Sequence, residues 1–122
     1  MPTCEHDKLI FNSRDELLRV RIDRIVYFEA DGNYTYAMSQ NKLKGVLGMS
    51  LTKVEEVLIH QIGIHVRHFM RLGKRFIINT EFVYSIQPAK QRLILSDQSS
   101  FAFSLPVSKE ALKRMKELLT KK

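Results

Sequence analysis

Three histidines lie within nine residues of one another, and imidazole nitrogens are common metal ligands. His60, His65 and His68 lack the i, i+4 spacing of a simple helical metal pair, and no cysteine or cluster of carboxylates stands near them to complete four ligands. Cys4 and His6 form a still weaker pair near the N-terminus. We therefore expect surface histidines, no bound metal and no other cofactor.

Nucleophilic catalysis needs a Ser, Cys or Thr beside a base that a third group orients. The chain contains serines and histidines, but none of them stands in a recognisable spacing such as G-x-S-x-G. The five glycines form neither G-x-G-x-x-G nor a phosphate-binding P-loop. The sequence therefore predicts a protein that is not an enzyme.

A short basic segment is the better candidate for binding chemistry. Arg71, Lys74 and Arg75 flank Gly73, which can adopt backbone angles closed to other residues, so a turn here would direct Lys74 and Arg75 outward. Such side chains can reach phosphates or the edges of guanine bases. The alternative is a solvated hairpin turn, because Lys and Arg are common at such turns in any protein.

Positive charge is concentrated in the second half of this 122-residue chain, whose net charge is +7. Residues 1–61 have 8 Lys and Arg against 9 Asp and Glu, hence −1, whereas residues 62–122 have 12 against 4, hence +8. This asymmetry favours a polyanionic partner, either nucleic acid or an anionic membrane surface. A solvated basic face without a partner is the alternative.

A β-hairpin is predicted in the first half of the chain. Apolar residues alternate with other residues over positions 26–30 and again over positions 34–38, which is typical of strands. Asp31, Gly32 and Asn33 between them suit a tight turn. Asn33 has two open roles, since an Asn after Gly either contacts a ligand or tolerates the backbone angles of the turn.

Two helices and further short strands complete the prediction. Ser50 can cap a helix at about residues 51–60, and Ser108 can cap a last helix with lysines at 109, 113 and 116 on one face. The apolar stripe of that last helix consists of Leu112, Met115, Leu118 and Leu119. Alternation predicts other strands over residues 18–22, 76–78, 82–86, 92–95 and 100–105. We expect a mainly β protein with two or three short helices around one core.

The cytoplasm is the expected compartment. No run of about 18 apolar residues exists that could span a membrane, so we expect no membrane insertion. The N-terminus mixes acidic and polar residues where a secretory signal would need a basic start and an apolar stretch. A single cysteine cannot form an internal disulfide, which fits a reducing compartment.

Four blocks of the sequence together resemble a known family. VYFEADGNYT at residues 26–35 is similar to the I-x-Y-I-E-A-x-G-N-Y-T hairpin of bacterial LytTR-type DNA-binding domains, and FMRLGKRFIIN at residues 69–79 is similar to their F-x-R-x-H-R-S-Y-I-V-N segment. LPVSK at residues 105–109 resembles their L-P-V-S-R helix entry, and residues 47–58 resemble the short helix between the first two blocks. Two positions depart from the pattern, because Gly73 and Arg75 stand where the family usually has His and Ser.

The resemblance implies an elongated fold of small β-sheets packed in series, which binds duplex DNA through loops that enter neighbouring major grooves. It implies sequence-specific binding in bacterial transcriptional regulation, with pairs of domains on direct repeats in promoters. We divide the chain into a leader at residues 1–16, with room for a first strand, and a LytTR-like domain at residues 17–122. Because the leader is short, we expect a stand-alone domain without a receiver. Carried over by position, the residues expected to face DNA are Asn33, Tyr34, Thr35, Lys74, Arg75, Ser108 and Lys109. Arg71, just before the turn, and Lys113, on the lysine face of the last helix, are expected to contact phosphates.

Two other functions stay open at this point. One is a protein-interaction module whose basic face meets an acidic partner, and the other is RNA binding by stacking aromatic residues. Alternation places each candidate aromatic on the apolar side of a strand, which favours core packing instead. These aromatic residues are Tyr34, Tyr36, Phe101 and Phe103. A homodimer on DNA and a separate signalling partner are both compatible with the sequence.

Overall fold

Ten β-strands and two α-helices form the described part of the chain in a computed structural model, which covers residues 8–12, 14, 16–63 and 68–120. The strands pair antiparallel throughout these residues, in sheets of two, three and five strands. The mainly β prediction with two or three short helices is therefore confirmed. The strands are β1 (Lys8–Asn12), β2 (Leu17–Arg21), β3 (Ile25–Asp31), β4 (Tyr34–Ser39), β5 (Lys44–Leu47), β6 (Phe69–Leu72), β7 (Phe76–Asn79), β8 (Val83–Gln87), β9 (Arg92–Ser96) and β10 (Ala102–Pro106), and the helices are α1 (Leu51–Ile62) and α2 (Lys109–Thr120).

The chain divides into two compact units, Met1–Asn79 and Thr80–Lys122, where the sequence had predicted a single core. The first unit contains the five-stranded sheet in the order β5-β4-β3-β7-β6, the two-stranded sheet β1-β2 and helix α1. The second unit contains the three-stranded sheet β10-β9-β8 and helix α2. Strand β1 lies within the segment taken as a leader.

The core of the first unit forms where α1 and β1 contact one face of the five-stranded sheet. Ser50 caps α1 as predicted, because its side chain accepts a hydrogen bond from the backbone N–H of Lys53, and the helix runs two residues beyond the predicted end. Apolar side chains from α1 and the strands are buried together at this face. These include Leu9, Phe11, Ile25, Phe28, Ala37, Leu47, Leu51, Val54, Leu58, Phe69 and Ile77.

The hairpin of β3 and β4 is confirmed, but β4 faces the opposite way from the prediction. The small side chains of Thr35 and Ala37 are buried, whereas Tyr34 is 55% exposed and Tyr36 is half-buried. Ala37 lies in the core cluster with the α1 side chains, and Thr35 shares its side of the pleat. Core packing is therefore not the role of Tyr34.

In the second unit, alternation over residues 101–105 is confirmed, since Phe101 and Leu105 are buried and Phe103 is half-buried, whereas Ala102 and Ser104 are exposed. Phe82 packs edge-to-face on Phe101 with ring centroids 5.3 Å apart. Helix α2 begins after Ser108 as predicted, and its Leu112 and Met115 are buried. The predicted apolar stripe ends there, because the last turn of α2 leaves two leucines exposed. These are Leu118 and Leu119.

Candidate nucleic-acid interface

Two turns of the first unit meet at one end of strand β3. The β3–β4 turn follows Asp31, and the β6–β7 turn lies beside it because the backbone N–H of Ala30 donates a 2.8 Å hydrogen bond to the carbonyl of Arg75. The strand register agrees, since Glu29 pairs with Phe76. We call residues 32–34 and 73–75 together the loop edge. The structure therefore brings together the two loops that the sequence selected.

The side chains of Asn33 and Tyr34 are exposed at the β3–β4 turn and are not needed to form it. Gly32 takes the positive φ of the turn, +63°, whereas Asn33 has none. Asn33 is thus not needed for unusual backbone angles, and the described residues give its side chain no hydrogen-bond partner. Both side chains are exposed at the loop edge, where they can contact a ligand.

The burial of Thr35 corrects the predicted set of DNA contacts. Its side chain is fully buried, and its hydroxyl donates a 2.9 Å hydrogen bond to the carbonyl of Met49. A buried hydroxyl with a committed acceptor has no access to a base edge. Thr35 instead joins β4 to the segment that leads into α1, so we remove it from the candidate interface.

Arg71 also has a structural role in the β6–β7 turn. Its Nε donates to the carbonyl of Gly73 at 2.9 Å, and its Nη1 donates to Thr52 Oγ1 at 3.2 Å and to Glu55 Oε1 at 3.0 Å. Gly73 has a φ of +62°, which allows the tight turn that the sequence predicted. Because the guanidinium of Arg71 connects the turn to α1, we assign it to positioning the turn rather than to contacting a phosphate.

Lys74 and Arg75 are both exposed at the tip of this turn, but only Lys74 is uncommitted. Arg75 donates from Nε and Nη2 to Glu29 Oε2, at 3.0 and 2.7 Å, and its guanidinium lies 5.0 Å from the centroid of the Phe76 ring. Among the described residues, Lys74 has no ion pair. The ammonium of Lys74 is therefore available to a phosphate or a base. Arg75 can contact DNA only if its ion pair with Glu29 opens or is shared.

A groove of about 460 Å³ lies beside the loop edge and contains charges of both signs. A hydrogen bond between the Tyr36 phenol and the Asp31 carboxylate, together with the charge of Asp31, raises the pKa of Tyr36. Lys44 Nζ lies 4.3 Å from the centroid of the Tyr36 ring. Glu29 and Arg75 also line the groove. The carboxylates here reduce the positive potential of the loop edge.

The sequence did not indicate that Glu29 pairs with Arg75. It also did not indicate Lys53 as a further candidate for contacting DNA. Glu29 and Arg75 are 46 positions apart, and only the pairing of β3 with β7 brings them together. Lys53 is exposed in the first turn of α1, next to Thr52, which holds Arg71. The cap at Ser50 marked the start of this helix, but the sequence did not show that it begins near the β6–β7 turn.

In the second unit, the remaining predicted residues cluster at the start of α2. The Oγ of Ser108 accepts a 3.2 Å hydrogen bond from the backbone N–H of Ala111, so its oxygen caps the helix and its hydroxyl proton can still donate. Lys109 and Lys113 are exposed one turn apart on α2. The geometry suits two cations that contact successive phosphates.

The histidines do not form a metal site in the part of the chain that the structure describes. Within residues 8–12, 14, 16–63 and 68–120, no three His, Cys, Asp or Glu side chains gather closely enough to hold a metal ion. His65, Cys4 and His6 lie outside the described residues. No helix among those described is both long and apolar enough to cross a bilayer.

Comparison with known proteins assigns the chain to a family. The family model of the LytTr DNA-binding domain matches residues 15–120, which is most of the chain. The chain belongs to the LytTR family. DNA binding in transcription regulation is the function that this membership supports, and duplex DNA is the corresponding partner.

A solved structure agrees with this assignment of the LytTR domain. It is the LytTr DNA-binding domain of a protein described as a methyl-accepting/DNA response regulator from Bacillus cereus. The two chains are 23% identical, with a TM-score of 0.65 over 93% of this chain and 96% of that one. At this identity the similarity shows a shared fold. No curated protein sequence matches the chain.

Proposed function

We propose that this LytTR domain recognises particular sequences in duplex DNA through its loop edge and thereby regulates transcription in a bacterial cytoplasm. The observation that carries the proposal is the placement of Asn33, Tyr34 and Lys74. The strand pairing, the backbone hydrogen bond at Ala30 and the Arg71 contacts hold the two turns that carry these exposed side chains next to each other. Positioning of this kind is what a base-reading surface requires.

The residues of the loop edge have different tasks in this proposal. The amide of Asn33 can form paired hydrogen bonds with an adenine edge in the major groove, and the ring of Tyr34 offers an apolar surface to a thymine methyl group. Lys74 can contact guanine or phosphate. Arg75 contributes charge once Glu29 releases it. Specificity therefore comes from a few short contacts at one end of the sheet.

The start of α2 supplies sequence-independent attraction. Ser108, Lys109 and Lys113 present a hydroxyl and two cations, which suit phosphates that look alike at every step of DNA. Residues 80–122, which form the second unit, have 8 Lys and Arg against 4 Asp and Glu, hence +4, which supports an electrostatic contact by this unit. Two domains on a direct repeat, as the family resemblance implies, would double the number of phosphates that are neutralised.

The proposal can be tested by selecting bound fragments from random duplex DNA. Fluorescence anisotropy then compares the selected duplex with a shuffled one for the unchanged protein and for Asn33→Gly, since Gly keeps the turn and removes the amide. The variant is expected to lose about 1–3 kcal/mol on the selected duplex and little on the shuffled one. Selection that yields no preferred sequence, or equal preference in the variant, would contradict base reading by this turn.

Lys74→Ala tests the neighbouring turn, and Lys42→Ala is its matched control. Lys42 is an exposed lysine in a hairpin turn at the opposite end of β4. Affinity for the selected duplex should fall for Lys74→Ala and stay within twofold for Lys42→Ala. An equal loss of affinity in both variants would mean that any exposed lysine contributes to DNA binding and that the loop edge has no special role.

A further inference from the structure

A second groove of about 500 Å³ lies in the first unit, toward the end of β4 that is opposite the loop edge. One wall is strand β2 and the other is the hairpin of β4 and β5. Strand β4 runs from Tyr34 at the loop edge to Ser39 at this groove, a length of about 17 Å. The two surfaces are therefore separate parts of the same sheet.

The groove has an apolar lining, part of which is exposed to solvent. Leu18 and Val20 are half-buried there, while Leu43 is 67% exposed and Val46 is 49% exposed. The two walls approach closely at Gly45, where an added Cβ would lie 2.9 Å from Leu18 Cδ2. Exposed aliphatic side chains beside an apolar floor are typical of a binding surface.

Positive charge surrounds this apolar lining. Among the described residues, Arg19, Arg21, Arg24 and Lys44 line the groove together with the carboxylate of Glu16, which leaves four positive charges minus one, a balance of +3. Arg21 already has a carboxylate partner in Asp23, 3.2 Å away at the surface. Such a surface complements a ligand that has both carboxylates and aliphatic groups.

Both walls include a strand with an unpaired edge. Within the described residues, β5 is the last strand of the five-stranded sheet, and β2 pairs only with β1. Residues from both faces of β5, Gly45 and Val46, line the groove, as expected if it follows the strand edge. An extended segment can add to such an edge through backbone hydrogen bonds, and alternate side chains then supply specificity.

We propose that this groove binds an extended segment of a partner protein in which acidic and aliphatic residues alternate. Its backbone would lie along the edge of β5, and its aliphatic side chains would pack on Leu18 and Leu43 on the Gly45 side of that strand. Its carboxylates would lie on the Val46 side, where Lys44 is, within the positive field of Arg19 and Arg24. This function is additional to DNA binding. It gives the domain a protein contact that leaves the loop edge free.

The probe for this proposal is a fluorescein-labelled peptide of about nine residues in which Glu and Val alternate, a length typical of a strand. Anisotropy should show saturable binding that falls at least tenfold in the Arg19→Glu, Arg24→Glu double variant, and separately in Val46→Asp. Ile59→Asp and Lys90→Glu, exposed positions outside the groove, are the matched controls and should leave binding within twofold. A peptide with Lys in place of Glu should not bind.

Several outcomes would overturn the proposal. The groove does not recognise an acidic segment if the Glu peptide shows no saturable binding, if the Lys peptide binds equally well, or if neither set of groove variants weakens binding. A loss of duplex DNA affinity in the arginine double variant as large as that of Lys74→Ala would assign the groove to phosphates instead. Concentration-dependent dimers that Val46→Asp abolishes in sedimentation would assign it to a second copy of the chain. Melting curves check the fold of each variant, and the two variant sets test the groove independently.

Discussion

Thr35 shows that a residue matched to a DNA-binding motif can instead hold the fold together. Replacing Thr35 by Val removes the hydroxyl that satisfies the Met49 carbonyl, which should lower the free energy of unfolding by about 1–3 kcal/mol in urea titrations. Thr35→Ser keeps the hydroxyl and is the control. The preference for the selected duplex should survive in folded Thr35→Val. Abolished preference at unchanged stability would return Thr35 to the interface.

In the proposed function, Glu29 would compete with DNA for Arg75. Glu29→Gln removes the carboxylate that accepts both guanidinium hydrogen bonds, so Arg75 becomes available to phosphates. Because the pair is partly exposed, it is worth at most about 1 kcal/mol, and affinity for duplex DNA should rise about two- to fivefold at low salt. Asp23→Asn breaks an exposed pair of the same kind near β2 and should change nothing. Weaker DNA binding in Glu29→Gln would show that the pair orients Arg75 instead.

Asp97 fixes the β9–β10 turn through its charge. A hydrogen bond from the Ser100 hydroxyl, with backbone N–H donors from residues 99–101, holds the pKa of Asp97 below its ordinary 3.8. The folded pKa is depressed, so this stabilisation is complete above the unfolded pKa and is lost as the pH falls through the folded one. Asp97→Asn should therefore lower Tm at pH 7, and the difference should shrink below about pH 4. An equal difference at all pH values would exclude the charge as the cause.

At the scale of elements, alternation and capping predicted most of the fold. The β3–β4 hairpin, β9, β10 and both helix starts follow from these local signals. Strand β6 was missed because Phe69 and Leu72 are buried at its two ends, which gives no alternation, and β5 was missed because Gly45 interrupts its pattern. The site was harder to predict, since the partners of Arg71 and Arg75 come from distant strands and from α1.

Helix α2 should act through charge alone. Lys109→Ala or Lys113→Ala is expected to weaken selected and shuffled duplexes alike, and each substitution should reduce the salt slope of binding by about one unit because one phosphate is no longer neutralised. Lys90→Ala, an exposed lysine of the same unit in the β8–β9 turn, is the control. An effect confined to the selected duplex would mean that α2 reads bases. Anisotropy at several salt concentrations distinguishes these results.

For the whole molecule, the positive charge of residues 62–122 is divided between the two units, because residues 1–79 have 12 Lys and Arg against 9 Asp and Glu, hence +3, and residues 80–122 have 8 against 4, hence +4. The first unit contains the exposed polar residues of the loop edge, and the second contributes the lysines of α2. The sequence predicted the charge asymmetry directly, because it depends on composition only. It could not predict that Glu29 and Asp31 lower the positive potential at the loop edge, because this depends on strand pairing.

The salt dependence of binding to selected and shuffled duplexes tests the central claim most directly. Lys74, Arg75, Lys109 and Lys113 make about four phosphate-reaching cations, so log K should fall with log[salt] at a slope of about −4 on both duplexes. The selected duplex should remain tighter than the shuffled one at every salt concentration, because base contacts add a binding free energy that salt does not screen. A flat salt dependence, or equal affinity for the two duplexes, would contradict sequence-specific DNA recognition by this domain.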